Sequence, residues 1–222
     1  MQCSIRSVIG ITLILASLPA CTSTHIDQFR QAATSINKGE SIVILGRRQN
    51  NNYDTDGKFV KCVGATVANG NDRIRVIPEQ EFLDAMFPFF EPRTAPVRTA
   101  HLKQLMAVSE ARQRLKDYGL GYIVWVDGTT RRSGQYGNIN CSITPAGGGC
   151  FGFNSWQDDS RFEAEVWNLD TLESVGSIST DSNGQSYLPA LLLPIPLIAQ
   201  VEASACSGLG RQLKQFITGK GT

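Results

Sequence analysis

The sequence predicts an α/β (α+β) fold: a single compact domain with a central mixed sheet of about five strands, flanked by helices, closed by a C-terminal helix and stapled by disulfides. Three observations predict it. Short apolar runs such as Ser41-Ile42-Val43-Ile44-Leu45, set between Gly39 and Gly46, alternate with longer stretches whose apolar residues recur every three or four positions. A hydrophobic content of 41% with 8% aromatics excludes a disordered chain. At 222 residues the chain has the size of one ordinary domain.

The first 20 residues read as an export signal. Arg6 supplies a short positive region, and Val8 to Ala16 an apolar run too short for a stable membrane helix. Leu18-Pro19-Ala20-Cys21 follows. It resembles the bacterial lipobox, with an apolar residue at minus three and a small residue at minus one. The resemblance implies that Cys21 becomes the first residue and is acylated on its sulfur and its amine. Several acyl chains, at about 0.8 kcal/mol per buried methylene, make a permanent anchor. Thr22 stands where an Asp would favour retention in the inner membrane, so the family analogy implies an outer-membrane lipoprotein facing the periplasm. The expected organisation is a signal at 1–20, a lipid anchor and short helix at 21–39, and a periplasmic α/β domain at 40–222.

The mature chain is electrically neutral, since the 20 acidic residues are matched by 20 basic ones once Arg6 is set aside. A polyanion binder carries more positive charge, so no nucleic-acid partner is expected. Beyond Cys3 and Cys21, four cysteines remain. An even number in an oxidising compartment suggests two disulfides, with three possible connectivities. Cys141 and Cys150 bracket a segment containing Pro145 and Gly147 to Gly149, which closes easily, and this pairing leaves Cys62 for Cys206. A zinc site is disfavoured because no C-x-x-C pair occurs.

Each element then follows in order. Thr24-His25-Ile26-Asp27 has the form of a capping box, and Ile26, Phe29, Ala33 and Ile36 recur at helical spacing before Lys38-Gly39, so a helix is expected next to the anchor. Ser41 to Leu45 is a strand buried on both faces. After the polar loop through Asp54, apolar Phe59, Cys62, Val63 and Val67 predict a helix that Asn69-Gly70 stops, with a strand as the competing assignment. Arg73 to Ile77 alternates at period two. Pro78-Glu79-Gln80-Glu81 opens a helix with acidic residues where the dipole favours them, and Phe82, Leu83, Met86 and Phe87 form its apolar face.

One helix is expected from about Thr99 to Tyr118, with Leu102, Leu105, Val108, Ala111 and Leu115 on one face and Gly119 beyond its end. Tyr122 to Val126 is another central strand. Phe162, Ala164 and Val166 alternate with Glu163 and Glu165, and Asn168-Leu169-Asp170-Thr171 turns the chain into Leu172 to Ile178, an antiparallel hairpin. The final helix carries Ile198, Val201, Ala205, Leu209, Leu213 and Phe216 as its stripe, with Cys206 beside it.

This order of elements after a lipobox resembles the periplasmic α/β domain shared by the curli secretion channel lipoprotein, the amino-terminal domain of the Tol propeller protein, and lipoprotein activators of cell-wall synthases. The likeness is carried by Ser41 to Gly46, Gly121 to Gly128 and the hairpin Phe162 to Val175, and covers most of residues 40 to 218. It implies assembly and contact with envelope partners. The cysteines and the proline-rich segment Pro189 to Pro196 depart from that group.

Candidate site residues fall in two sets. Arg47 and Arg48 follow one central strand and Arg131 and Arg132 another. If these strands are parallel neighbours, four guanidinium groups gather at the sheet edge where open α/β sheets bind ligands, and could hold an anion. The bland alternative is solvated arginines paired with Asp54, Asp56, Asp158 or Asp159. The second set is apolar. Phe87, Phe89 and Phe90 lie among prolines, and Leu188 to Ile198, including Leu191, Leu192, Leu193, Ile195 and Leu197, is uninterrupted by a polar residue. Exposed, such segments mark a partner or membrane surface, and tucked under the sheet they are core. Glu163 and Glu165 read as the wet side of the hairpin, and neither His25 nor His101 is placed as a ligand or base. No nucleophile elbow or phosphate loop is present. The sequence therefore predicts a protein without cofactor, metal or catalytic role. Its expected partners are membrane lipid through Cys21 and an envelope protein or further copies of itself. The alternatives are a subunit of a multimeric export complex and an anionic-ligand sensor.

Overall fold

The structure, a computed structural model, describes residues 22–48, 55–70, 72–145 and 147–220. The signal, Cys3, the lipidation candidate Cys21 and the polar loop with Asp54 lie outside the described residues. Six strands, β1 (Thr22–Arg30), β2 (Ser41–Gly46), β3 (Arg75–Ile77), β4 (Leu120–Thr144), β5 (Gly147–Asn168) and β6 (Glu173–Pro194), form one sheet in the order β1-β6-β5-β4-β2-β3. Among the described residues the helices are α1 (Gly57–Ala68), α2 (Glu79–Met86), α3 (Thr99–Ala107), α4 (Ser109–Asp117) and α5 (Val201–Ile217). The sheet is mixed. β2 runs parallel to both β3 and β4, with Ile44 opposite Val124 and Gly46 opposite Val126.

The residues fall into two compact units. A large unit comprises Thr24–Arg131, Asp159–Ser182 and Val201–Thr222; a small unit comprises Arg132–Asp158 and Asn183–Gln200, with Thr22 and Ser23 from the amino-terminal segment.

In the large unit β2 is buried along its whole length, as an uninterrupted apolar run in a parallel sheet requires. Its alternate residues serve two cores. Ile42 and Ile44 join Phe59, Val63, Val124, Phe162, Leu209 and Phe216 under α1 and α5. Val43 and Leu45 join Phe82, Met86, Leu102, Leu115, Trp125 and Trp167 under α2, α3 and α4. Helix α1 begins where the Asp56 carboxylate accepts the Lys58 N–H at 2.8 Å, which satisfies one of the orphan donors of its first turn. Cys62 on α1 is bonded to Cys206 on α5, their Cα atoms 6.1 Å apart. The turn between β5 and β6 is built by Asn168, whose side-chain oxygen accepts the N–H groups of Asp170 and Thr171.

Several expectations are corrected. The segment from Ile26, expected as a helix within 21–39, is strand β1. Thr24 accepts a hydrogen bond from Ser182 at 2.8 Å and the Gln31 N–H reaches Val175 O, so β1 runs antiparallel to β6. An isolated helix of this length is marginal in water, whereas the edge of β6 offers a full row of unpaired backbone groups. Pairing prevails over spacing: Ile26 packs on the core and Phe29 is exposed. The helix expected over 99–118 is two, because Val108 adopts extended backbone between α3 and α4. Gly147 to Gly149, expected in a closing loop between Cys141 and Cys150, belong to β5. Most of the apolar loop 188–198 is the end of β6. The sheet has six strands where about five were expected, since β1 adds an edge.

Candidate functional site

The arginines that follow the two central strands do not form one cluster. Strands β2 and β4 are parallel neighbours, so the geometric premise holds. At the end of β2, however, Arg47 is fully engaged. Its guanidinium donates to Glu165 on β5 at 2.9 Å and to the Val97 carbonyl at 3.1 Å, and lies 5.3 Å from the Trp125 ring and 5.9 Å from that of Trp167. Its main-chain N–H continues the ladder to Val126 O. Arg47 is thus a clamp that joins β2, β5 and the segment before α3. Glu165, expected on the wet side of the hairpin, is its counter-ion.

Beside the clamp lies a cleft of about 380 Å³ whose walls include Phe90, Pro96, Val97, Trp125 and exposed Arg48. Its other charged groups are Arg47 itself and the carboxylates Glu79, which accepts the Gly46 N–H at 2.8 Å, and Asp127. With both signs present and Arg47 committed elsewhere, the cleft offers no concentration of positive charge for an anion. Arg131 is exposed in the large unit. Arg132 belongs to the small unit, where Asp158 accepts from its Nε at 3.0 Å and the Trp156 ring lies 4.7 Å away. Asp158, one of the partners the sequence offered, therefore takes one of the four arginines.

The phenylalanine trio also divides. Phe87 is exposed, Phe89 is partly buried and Phe90 is only 3% exposed, stacked 6.4 Å from Trp125. Phe90 is core and Phe89 packs against the same cluster under α2, α3 and α4, so of the three only Phe87 is left exposed. Among the described residues no three of His, Cys, Asp and Glu converge as a metal site. His25 is exposed, with its Nε2 3.0 Å from Asp27.

The apolar segment behaves differently. In the small unit, Leu191, Leu192, Leu193, Ile195 and Ile198 are all exposed, Leu191 by 80%, while Ala190 is buried and Leu197 is partly so. The chain folds back on itself here: Tyr187 and Leu197 exchange two backbone hydrogen bonds, and Ser186 accepts the Ala199 N–H. Leu191 to Ile195 is the bend of that hairpin. The other hairpin of the unit, β4 to β5, turns at Pro145 and is closed by the Cys141–Cys150 disulfide. Ile143 and Phe151, both exposed, flank this turn. Gly149 approaches Leu192, so the two bends lie at the same end of the unit.

The glycines of this hairpin are required by its backbone. Gly137 (φ +97°) and Gly152 (φ +141°) hold conformations that side chains rarely adopt. A Cβ on Gly137 would collide with Phe153 O, and one on Gly152 with Asn138 O. They are sites of close strand approach inside a ladder.

One property of the small unit could have been found by counting. No Asp, Glu, Lys, Arg or His occurs between Arg132 and Asp158, a run of 25 residues, or between Asp181 and Glu202, a run of 20. Elsewhere charge is dense enough that the whole chain averages 18%. An exposed surface without charge and with clustered leucines belongs to the kind that marks an interaction site.

No protein-family model matches the chain, and no curated protein does. Among solved structures, the chain is similar to a PelC dodecamer from Paraburkholderia phytofirmans that carries a point substitution. The TM-score is 0.41 at 9% identity, over 88% of this chain and 99% of that one. It is likewise similar to a second PelC dodecamer from the same organism, at TM-score 0.38 and 9% identity over 89% and 97%. Similarity at this level carries no functional argument.

Proposed function

We propose that this chain is an outer-membrane lipoprotein facing the periplasm, anchored through acylated Cys21, which works by contact with envelope partners and performs no catalysis. The observation that carries the reading is the exposed, charge-free surface of the small unit, centred on Leu191, Leu192 and Leu193. Leaving these side chains in water forgoes roughly 1.5 to 3 kcal/mol each, so the surface is explained by something that covers it. The lipobox-like Leu18 to Cys21 supports the anchor, and the two disulfides suit an oxidising compartment. The resemblance to the curli and Tol periplasmic α/β group belongs to the same proposal.

The test is an intact mass spectrum of the chain extracted from bacterial membranes in mild detergent without reductant. Loss of the signal, a mass increment of acyl groups on Cys21 and two disulfides are expected, with Cys21→Ala released from membranes. An unacylated chain beginning elsewhere than Cys21 overturns the anchor.

A second reading, a subunit of a multimeric export complex, is favoured by one feature. Ile139, Cys141 and Ile143 alternate along β4 with Asn138, Asn140 and Ser142, giving a strand with one apolar and one polar face. A discrete multimer in the same native spectrum supports it. The anionic-ligand reading loses ground because Arg47 and Arg132 are already paired.

A further inference from the structure

We infer that the bend end of the small unit is a lipid-binding surface, its exposed apolar side chains entering the acyl region of the membrane leaflet that carries the anchor. The inference rests on the proposed anchoring for its geometry.

Four observations converge on lipid as the occupant. The first is where the chain leaves the described residues. Thr22 and Ser23, directly after Cys21, line a groove with Gln157, Asn183, Gly184 and Gln185. This is the end of the small unit where Arg132, Asp158 and Asn183 stand, and it is where both charge-free runs begin. An acyl group on Cys21 therefore fixes this end at headgroup depth.

The second is reach. From Gln185 to Leu191 the strand climbs six residues, roughly 20 Å at 3.3 Å per residue. One leaflet's hydrocarbon is about 15 Å thick. An inclined strand thus carries the leucines to acyl depth without crossing the leaflet.

The third is the grading of residue types along that path. Charges stop at Arg132 and Asp158. Aromatic residues follow: Gly137 faces Phe153, and the Phe153 ring lies 6.0 Å from that of Tyr187, so Tyr136, Phe153 and Tyr187 share one level. Beyond them come Ile143, Phe151, Leu191 to Leu193 and Ile195, all exposed. Along the apolar side chains, charge, aromatic ring and aliphatic chain follow in the order of the layers of a membrane interface, where Tyr and Trp settle at the headgroups, while Asn138, Asn140 and Ser142 keep alternate positions of β4 polar. A protein partner imposes no such order.

The fourth is what the sheet forbids. Open strand edges are not tolerated within hydrocarbon, and Asn138, Asn140 and Ser142 are exposed polar groups. A single chain therefore inserts the side chains of its bends and keeps its strand edges wet, lying on the membrane without spanning it.

The test uses the full mature chain with a tryptophan reporter on the bend, Leu191→Trp, and a control in the large unit, Val97→Trp, at a residue that is also exposed. Each is measured twice: as the membrane-extracted form reconstituted in phosphatidylethanolamine–phosphatidylglycerol vesicles containing acyl-brominated phosphatidylcholine, and as a Cys21→Ser form mixed with the same vesicles. Quenching by the bromines at Leu191→Trp but not at Val97→Trp is expected in both. Replacing Leu191 and Leu193 by Lys in the Cys21→Ser form should lower vesicle partition by about tenfold or more per lysine while melting stays unchanged, because both side chains are exposed. Water-exposed emission without quenching at Leu191→Trp overturns the inference. So does a blue shift without quenching, which assigns the bend to a protein or to a second copy. The anchor is read separately, from the mass at Cys21. An unacylated chain whose Leu191→Trp is still quenched removes the anchor and leaves the lipid surface standing.

Discussion

Arg47 at the end of β2 and Glu165 near the end of β5 form an ion pair at 2.9 Å, with side chains only 19% and 35% exposed, although 118 residues separate them in sequence. Truncating Arg47 leaves a half-covered carboxylate without its donor and frees the Val97 carbonyl. Arg47→Ala should cost about 1 to 2 kcal/mol, less than a fully buried pair because water still reaches Glu165. Glu165→Gln, which keeps a hydrogen-bonding partner, should cost less than Arg47→Ala. Urea unfolding of the two variants measures this, and equal costs count against a clamp.

The two disulfides should differ in weight. Cys62–Cys206 closes a loop with a sequence separation of 144, and Cys141–Cys150 one of 9. Chain-entropy arguments give roughly 4 to 5 kcal/mol for the long loop and about 2 to 3 for the short one. Replacing both cysteines of each pair by serine and comparing denaturation midpoints tests the ranking. The short-loop variant should retain the melting cooperativity of the large unit, which does not contain it.

Helix α5 crosses α1 closely at Gly210, where an added Cβ would stand 2.6 Å from Thr66 Cβ, part of a β-branched side chain on a packed helix. Gly210→Ala is expected to lower stability by about 2 kcal/mol or more. Gly208→Ala meets the flexible end of Ile26 at 3.0 Å and Thr24 at an ordinary 3.5 Å, and gains helix propensity, so it should be near neutral. Thermal melts of the two variants should differ by several degrees.

The ammonium of Lys220, hydrogen-bonded to Asp72 at 2.5 Å, holds that carboxyl below its usual range, with Lys214 adding to the effect. A depressed folded-state pKa means stability that is present above the unfolded value, near 4, and is lost as pH falls through the folded one. The effect should be small and removed by salt, since Asp72 is exposed. Asp72→Asn should leave stability at neutral pH nearly unchanged and flatten its acid-side slope. An NMR titration of the Asp72 carboxyl, with its midpoint lower in the folded chain than in the urea-unfolded one, checks the sign.

Where an element's own pattern decides, the sequence read true. The apolar run of β2 demanded burial on two faces, Asn69-Gly70 stopped α1, and Asn168 to Thr171 turned the hairpin. Where tertiary context decides, it did not. Residues 22–30 carry helical spacing, yet the free edge of β6 takes them as a strand. Nothing in Leu105 to Ala111 marks the break at Val108. Gly147 to Gly149 signalled a loop because glycine is a poor strand former, while in the ladder of the same hairpin Gly137 and Gly152 are wanted for lacking a Cβ. The arginine set failed for a different cause. Strand adjacency was foreseeable, but not that Glu165 would claim Arg47. The apolar segment was legible as such, and its missing charges were countable.

The bond between Cys62 and Cys206 also constrains how the molecule can be made. A chain delivered amino terminus first presents Cys62, then Cys141 and Cys150, and only at the end the thiol that Cys62 requires. Pairing in order of arrival would join Cys62 to Cys141 and strand Cys150. The mature pattern is reached only if oxidation waits for α5 or if early bonds are exchanged, so production in cells should depend on a thiol–disulfide isomerase as much as on an oxidant.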